Sequence, residues 1–404
     1  MPGLSSIILA SATLLSAAVA IPAGKPGASF SVVQTANPRF KANGPAAYAQ
    51  AYSKFSKAMP ADWAAALGSG TVAAFPQKFE IEYLCSVNIG GQTLSLDFDT
   101  GSSDLWVFSP SLPLDEQTGH HDYNSSLSAT WKELSGYTWG ILYGDGSSAS
   151  GTVGTDTVTI GGVAVTGQAV QIAQSVSSKI VNSTADGFVG LAFESLNTVS
   201  PTAQKSFYDN AKAQLTTPVF TVDLKYHAPG SYDFGVIDPS KYTGPITYVP
   251  VNSTRGFWGF TGSGYAVGSG TFSPLCIHAI VDTGTTLIYA PQAVVAAYWA
   301  QVPGSSYNKV DGGYTFPCSA TLPSLTLGLG SYQAVVPGEY LSYAPVQDIS
   351  SALVSPSVCY GALQPNTGLG FSIYGDVFIK SQFVVFDNSD IVAPRVGFAA
   401  KNLM

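Results

Sequence analysis

Two short stretches of the 404-residue chain carry an aspartate in the same setting. Phe98-Asp99-Thr100-Gly101-Ser102-Ser103 recurs as Val281-Asp282-Thr283-Gly284-Thr285-Thr286. Each reads apolar residue, Asp, Thr, Gly, then two hydroxyl residues, and the two Asp lie 183 positions apart. One Asp-Thr-Gly alone reads equally well as an Asx-turn or a helix cap. The duplicated context is what gives the pair meaning. An Asp that follows a strand is held at a loop tip, and the Gly lets another backbone come close. Two such loops meeting between two halves of a chain would set two carboxylates side by side. Like charges about 3 Å apart cannot both ionise easily, so one pKa rises and the other falls. Such a pair shares a proton. The ionised member can take a proton from a bound water while the protonated member donates to a carbonyl oxygen under attack. That chemistry cleaves a peptide bond with neither a metal ion nor a covalent intermediate.

The rest of the chain supplies elements able to hold two such loops. Charged residues make up only 10%, against about 25% in an average soluble domain. With 42 Gly, 25 Pro and 12% aromatics, this is a composition of short strands and turns. It excludes a coiled coil, a helical bundle, collagen and a charge-driven disordered chain. Thr93 to Phe98 alternates with period two, and so does Thr155 to Ile160 ahead of a Gly161-Gly162 turn. Helical signals are few: Ser206 to Leu215, Gln292 to Gln301 after Pro291, and Ala46 to Phe55. A second echo follows each aspartate motif. Gly187-Phe188-Val189-Gly190-Leu191 matches Ser372-Ile373-Tyr374-Gly375-Asp376 as a strand with two large apolar residues before a Gly. The expected fold is mostly β, with two similar lobes at about 71–250 and 251–404, a few short helices and a cleft between the lobes.

Charge divides the chain further. Residues 21–70 hold Lys25, Arg39, Lys41, Lys54 and Lys57 against Asp62, a net of +4, within a chain whose formal charge is −8. A basic leader on an acidic body suggests mutual attraction. The acidic body argues against a nucleic-acid partner. Ile7 to Leu15 and Ala18-Val19-Ala20 read as a signal peptide over 1–20, and no later stretch is long and apolar enough to suggest a membrane span. Secretion makes Asn124, Asn182 and Asn252 glycosylation candidates, since each opens an Asn-x-Ser/Thr triplet. It also permits disulfides. Cys318 and Cys359 are the best couple, closing a loop of about 40 residues worth very roughly 3–4 kcal/mol. Cys85 and Cys276 read as two buried free thiols, with a second bridge left open. No G-x-S-x-G elbow is present, which removes a serine hydrolase. His120, His121, His227 and His278 form no H-E-x-x-H, so no metal or other cofactor is expected.

The residues also match a known pattern. Asp99 to Val107, Tyr143-Gly-Asp-Gly-Ser-Ser-Ala-Ser-Gly151, Asp186 to Phe193, Tyr232 to Gly235, Ala279 to Thr286 and Gly375 to Phe378 together resemble the pepsin-like aspartic proteases. The likeness is greatest to the secreted fungal aspergillopepsin and penicillopepsin group, and it runs from about Glu82 to Ala399. It implies a bilobal acid protease fold and a monomeric endopeptidase acting on proteins and peptides with broad, large-apolar preference. It implies Asp99 and Asp282 as the catalytic dyad. Thr100 and Thr283 would bond across the lobes, with Gly101 and Gly284 beside them. Ser102 and Thr285 would donate to the outer carboxylate oxygens. Tyr143 and Gly144 would belong to a β-hairpin flap over the substrate, with Trp106 supporting Tyr143 through its indole N–H. Asp145 would contact a Lys on the acyl side of the cut, the P1 position. Pepstatin-type inhibitors would bind the dyad. The leader becomes a propeptide that fills the cleft as an intramolecular inhibitor, with Lys54 or Lys57 on the carboxylates, and maturation falls near Leu67 to Thr71. Cys85 and Cys276 depart from the fungal pattern. A non-enzymatic binder of the same fold would lack one Asp or the flap Tyr, and all three are present.

Overall fold

A computed structural model describes residues 27–37, 42–55, 83–142, 148–181, 185–309, 311–346 and 357–403. The expected signal peptide over 1–20, Lys57, the expected maturation region Leu67–Thr71, the expected flap residues Tyr143, Gly144 and Asp145, and Asn182 lie outside the described residues.

The chain builds two lobes of short strands over a shared floor. An eight-stranded sheet uses residues from Thr35–Ala36 to Gly187–Gly190, including the long pair Ser148–Ile160 and Val163–Val176. Seven- and four-stranded sheets form the other lobe, between Gly259 and Tyr374. The floor is a six-stranded sheet whose order is Phe30–Val33, Ala228–Phe234, Val219–Lys225, Phe383–Asp387, Arg395–Ala400 and Thr243–Pro250. It therefore joins strands from both sides of residue 250 and one from the leader.

Alternation decides how the strands sit. In Gln92–Asp99, Leu94, Leu96 and Phe98 point into the core while Thr93 and Ser95 face outward. The core crosses the lobe boundary. Phe220 stacks on Phe386 at 4.4 Å, and Trp258 meets both edge-on. Trp258 also donates its indole N–H to Leu191 O of the first lobe at 3.0 Å, the pairing a buried indole needs.

Two of the three helices are shorter than the sequence suggests, and the leader helix begins two residues earlier. The 206–215 signal forms a helix at Phe207–Ala211, capped by Ser206, and tightens into a 3-10 turn at Lys212–Gln214. The helix after Pro291 spans Gln292–Trp299, and the leader helix spans Gly44–Lys54.

Candidate active site

Both Asp motifs follow strands that are built alike. Gln92–Asp99 runs parallel to Gly187–Gly190 with Asp99 opposite Gly190. Ser273–Val281 runs parallel to Ser372–Tyr374 with Val281 opposite Tyr374. In each lobe a third short strand, Leu105–Val107 or Ile288–Ala290, pairs antiparallel with the second. The two sequence echoes are thus neighbouring strands in space, and each pair delivers an Asp to the cleft at the same point of the same motif.

The loops lock to one another through their threonines. Thr100 N–H donates to Thr283 Oγ1 and Thr283 N–H donates to Thr100 Oγ1, both at 3.0 Å. Each hydroxyl then donates across the lobes, Thr100 to Val281 O at 3.0 Å and Thr283 to Phe98 O at 2.5 Å. All four atoms are buried, where an unmade hydrogen bond costs about 1–3 kcal/mol. The glycines set the spacing. A Cβ on Gly101 would stand 2.6 Å from Asp282 Cγ, and one on Gly284 would stand 2.5 Å from Asp99 Cγ. Any side chain there would push the carboxylates apart.

Each carboxylate has an inner and an outer oxygen with distinct partners. Gly101 N–H donates to Asp99 Oδ1 at 2.8 Å and Gly284 N–H to Asp282 Oδ1 at 3.0 Å. Ser102 and Thr285 hydroxyls donate to the Oδ2 atoms, each at 2.5 Å. Lys54 closes the arrangement. Its Nζ donates to Asp99 Oδ1 at 2.6 Å and to Asp282 Oδ1 at 2.7 Å, with all three side chains largely removed from solvent. Burial opposes ionisation of Asp99, but the Lys54 ammonium and the Ser102 and Gly101 hydrogen bonds outweigh it and hold that carboxyl below its usual range. Burial pushes Asp282 up to about 6 against the pull of Lys54, and the charge of Asp99 adds to the rise. Burial opposes the charge on Lys54 too, but the two aspartates raise its pKa overall. The pair divides as like charges must: one member is the stronger acid and the other the readier to hold a proton.

Other residues take their places around this centre. Trp106 is buried, stacked with Trp139 at 5.6 Å and Phe188 at 5.3 Å. The strands Lys132–Leu142 and Ser148–Ile160 pair up to Leu142 opposite Ser148 and so flank the segment that holds Tyr143. Asp104 was not singled out from sequence. It is buried, with its pKa pushed up to about 6 by desolvation, and it accepts from Asn197 Nδ2 and Thr198 N–H at 2.9 Å, which fixes the loop after Asp99. Its place inside the Asp99 to Val107 stretch was the available signal. Cys318 and Cys359 form a disulfide. Cys85 is buried as expected, whereas Cys276 is exposed, because position 276 falls on an outward-facing site of Ser273–Val281. Asn252 is exposed and Asn124 half-buried.

The leader makes the contacts that sequence reasoning missed. Its helix Gly44–Lys54 presents Tyr48 and Tyr52 to the second lobe. Tyr48 donates to Pro365 O at 2.5 Å, Tyr52 donates to Thr367 O at 2.6 Å, and Tyr48 stacks on Tyr289 at 5.0 Å. Phe55 sits edge-on to Phe257 and Phe371. Helical spacing of Tyr48 and Tyr52, four apart, was the only sign of that docking face.

Residues 82–401 match the family model of the eukaryotic aspartyl proteases. The chain is 50% identical over 399 residues to aspergillopepsin-1 of Aspergillus fumigatus, with 98% of each chain covered. It is 50% identical over 387 residues to penicillopepsin-3 of Penicillium janthinellum, with 95% of each covered. It is 51% identical to endothiapepsin of Cryphonectria parasitica, covering 92% of this chain and 90% of the relative.

Proposed function

Because the chain belongs to the eukaryotic aspartyl protease family and is an aspartic-type endopeptidase, we propose that Asp99 and Asp282 are its catalytic dyad and that it is made as a secreted, inactive precursor. The observation that carries this reading is the meeting of the two carboxylates, with their inner oxygens sharing one cation at 2.6 and 2.7 Å. With the leader gone, the same two oxygens face the position where a water would be activated. The member with the lower pKa takes the water's proton. The member that keeps a proton donates to the carbonyl oxygen, and the resulting tetrahedral species collapses as the amide nitrogen leaves protonated. Ser102 and Thr285 stabilise negative charge on the outer oxygens, and the Thr100–Thr283 lock keeps the loops from drifting apart as charge moves. The Tyr143 flap would close over the peptide and exclude water, with Trp106 beneath it. Broad preference for large apolar residues fits a family that binds extended peptides.

The precursor reading rests on charge and docking. A +4 leader that reaches the dyad through Lys54 has the chemistry of a self-inhibitor. Residues 1–20 would be removed on secretion and 21–70 on maturation, leaving lobes of about 71–250 and 251–404 and an extracellular monomer. Asn124, Asn182 and Asn252 are its glycosylation candidates.

The test is inhibitor selectivity in acid. Pepstatin at one equivalent per chain is expected to abolish proteolysis while a chelator leaves it intact. Proteolysis that survives excess pepstatin overturns the dyad assignment. Asp145 adds a selectivity prediction. A flap-tip carboxylate meets substrate in a site that closure has dried, where an ion pair strengthens although desolvation tempers the gain. Asp145→Ser should lower kcat/KM for a peptide with Lys at P1 by about tenfold to a hundredfold, and leave the matched Phe peptide nearly unchanged. Equal losses on both peptides would assign Asp145 to flap structure.

A further inference from the structure

The leader marks an apolar niche beside the dyad. Lys54 Nζ, on the two carboxylates, stands 5.6 Å from the centroid of the Phe55 ring, and that ring meets Phe257 at 5.4 Å and Phe371 at 5.1 Å. Phe55 thus fills a niche one ring away from the reacting oxygens. When the leader leaves, a large apolar side chain of a substrate has the shape to replace it. The niche has a charged rim. Arg255 Cζ lies 4.8 Å from the centroid of Phe371, within cation–π range. Arg255 is exposed, and among the described residues no carboxylate pairs with it. The backbone beside it is pinned: Gly256 N–H donates to Ser253 O at 2.8 Å, and Gly256 O accepts from Phe193 N–H at 3.1 Å. Gly256 holds φ at +78°, and a Cβ there would stand 2.4 Å from Leu196 Cγ.

A guanidinium already held against a ring loses less freedom on meeting a carboxylate than a free lysine would, and its fork suits a planar acid. Successive side chains of an extended peptide alternate, so residues two apart share a face about 7 Å apart. A side chain two residues beyond the one in the niche therefore reaches past Phe371 to its rim. We propose that Arg255 is a specificity-determining residue that selects an acidic side chain, Glu or Asp, two residues farther from the cut than the apolar one in the niche. The assignment rests on the reading of Asp99 and Asp282 as the dyad, because Lys54 on those carboxylates is what locates the cut.

The experiment is kcat/KM of the mature enzyme at about pH 5, where a substrate Glu is largely ionised. The peptides carry Phe on both sides of the cut, so the niche is filled whichever side it serves. Glu, Gln or Lys stands at the third residue from the cut, on one side or the other. On one side Glu is expected to exceed Lys by about tenfold, attraction for one adding to repulsion of the other, with Gln between them and a margin that shrinks as salt is added. Arg255→Gln, at an exposed position, should lower that Glu-to-Lys ratio about tenfold and leave the Gln peptide within about twofold of wild type. Equal losses on all three peptides would mean that Arg255 only covers Phe371, and an unchanged ratio would mean that its charge is not read; either overturns the proposal. Pepstatin-sensitive hydrolysis of the Gln peptide judges the dyad separately. Its absence overturns both readings, whereas its presence with an unchanged ratio overturns the assignment of Arg255 alone.

Discussion

Asp99→Asn and Asp282→Asn are each expected to remove peptide hydrolysis by the mature enzyme, with kcat/KM falling on the order of 10⁴-fold or more. Asn keeps the shape and most hydrogen-bonding capacity of the carboxyl but cannot shuttle a proton. The amide oxygen can keep the Gly101 or Gly284 N–H bond made to Oδ1, while its NH₂ takes the place of Oδ2 and donates to the Ser102 or Thr285 hydroxyl, which can rotate to accept. The fold should therefore survive, which near-ultraviolet circular dichroism checks. On the proposed reading the two carboxylates act as one acid–base unit, so the double variant should be no worse than either single one. A folded single variant that retains near-wild-type turnover would mean the chemistry runs elsewhere.

Lys54→Met is expected to release the precursor. Lys54 bridges two carboxylates that share little else of positive charge, and breaking one partner out of a buried charge cluster costs about 3–5 kcal/mol. At about 3 kcal/mol, the opened form becomes about a hundredfold more populated. The sign of the pH effect follows from the shifts. Asp282, pushed up to about 6, takes a proton first as pH falls, so it leaves the lock early. Asp99 is held below the ordinary carboxylate value, so its pair with Lys54 persists through that value and is lost only as pH drops beneath it. Lys54, raised above the ordinary lysine value, stays charged throughout the acid and neutral range. The wild-type precursor should thus stay latent near neutral pH and mature quickly only in strong acid, whereas Lys54→Met should mature already near pH 6. Gel time courses across pH read this directly. Identical time courses for both proteins would show that Lys54 is not the lock.

What was legible in the sequence was local. Phe98 to Ser103 and Val281 to Thr286 are contiguous motifs, and their strand partners 187–191 and 372–376 announce themselves by the same apolar pattern before a Gly. The Thr100–Thr283 lock needs only the two motifs to meet. What stayed hidden was carried by pairings between distant segments. Nothing in Phe30–Val33 marks it as the edge strand of a sheet completed by residues 219–250 and 383–400. The basic leader suggested a lysine on the dyad but not which one, because the choice of Lys54 depends on Tyr48 and Tyr52 docking on Pro365 and Thr367. Cys276 was expected inside. Its exposure follows from strand phase, with Ile277 turned inward and its neighbours outward.

The pH dependence of kcat/KM for the mature enzyme on a single peptide tests the shared proton most directly. If Asp99 and Asp282 hold one proton between them, activity rises as the first carboxyl ionises and fades as the second loses its proton, so the profile is a bell confined to the acid range and gone at pH 8. Undiminished activity at pH 8 would contradict the account, because no proton would then remain on the pair to give to the carbonyl oxygen.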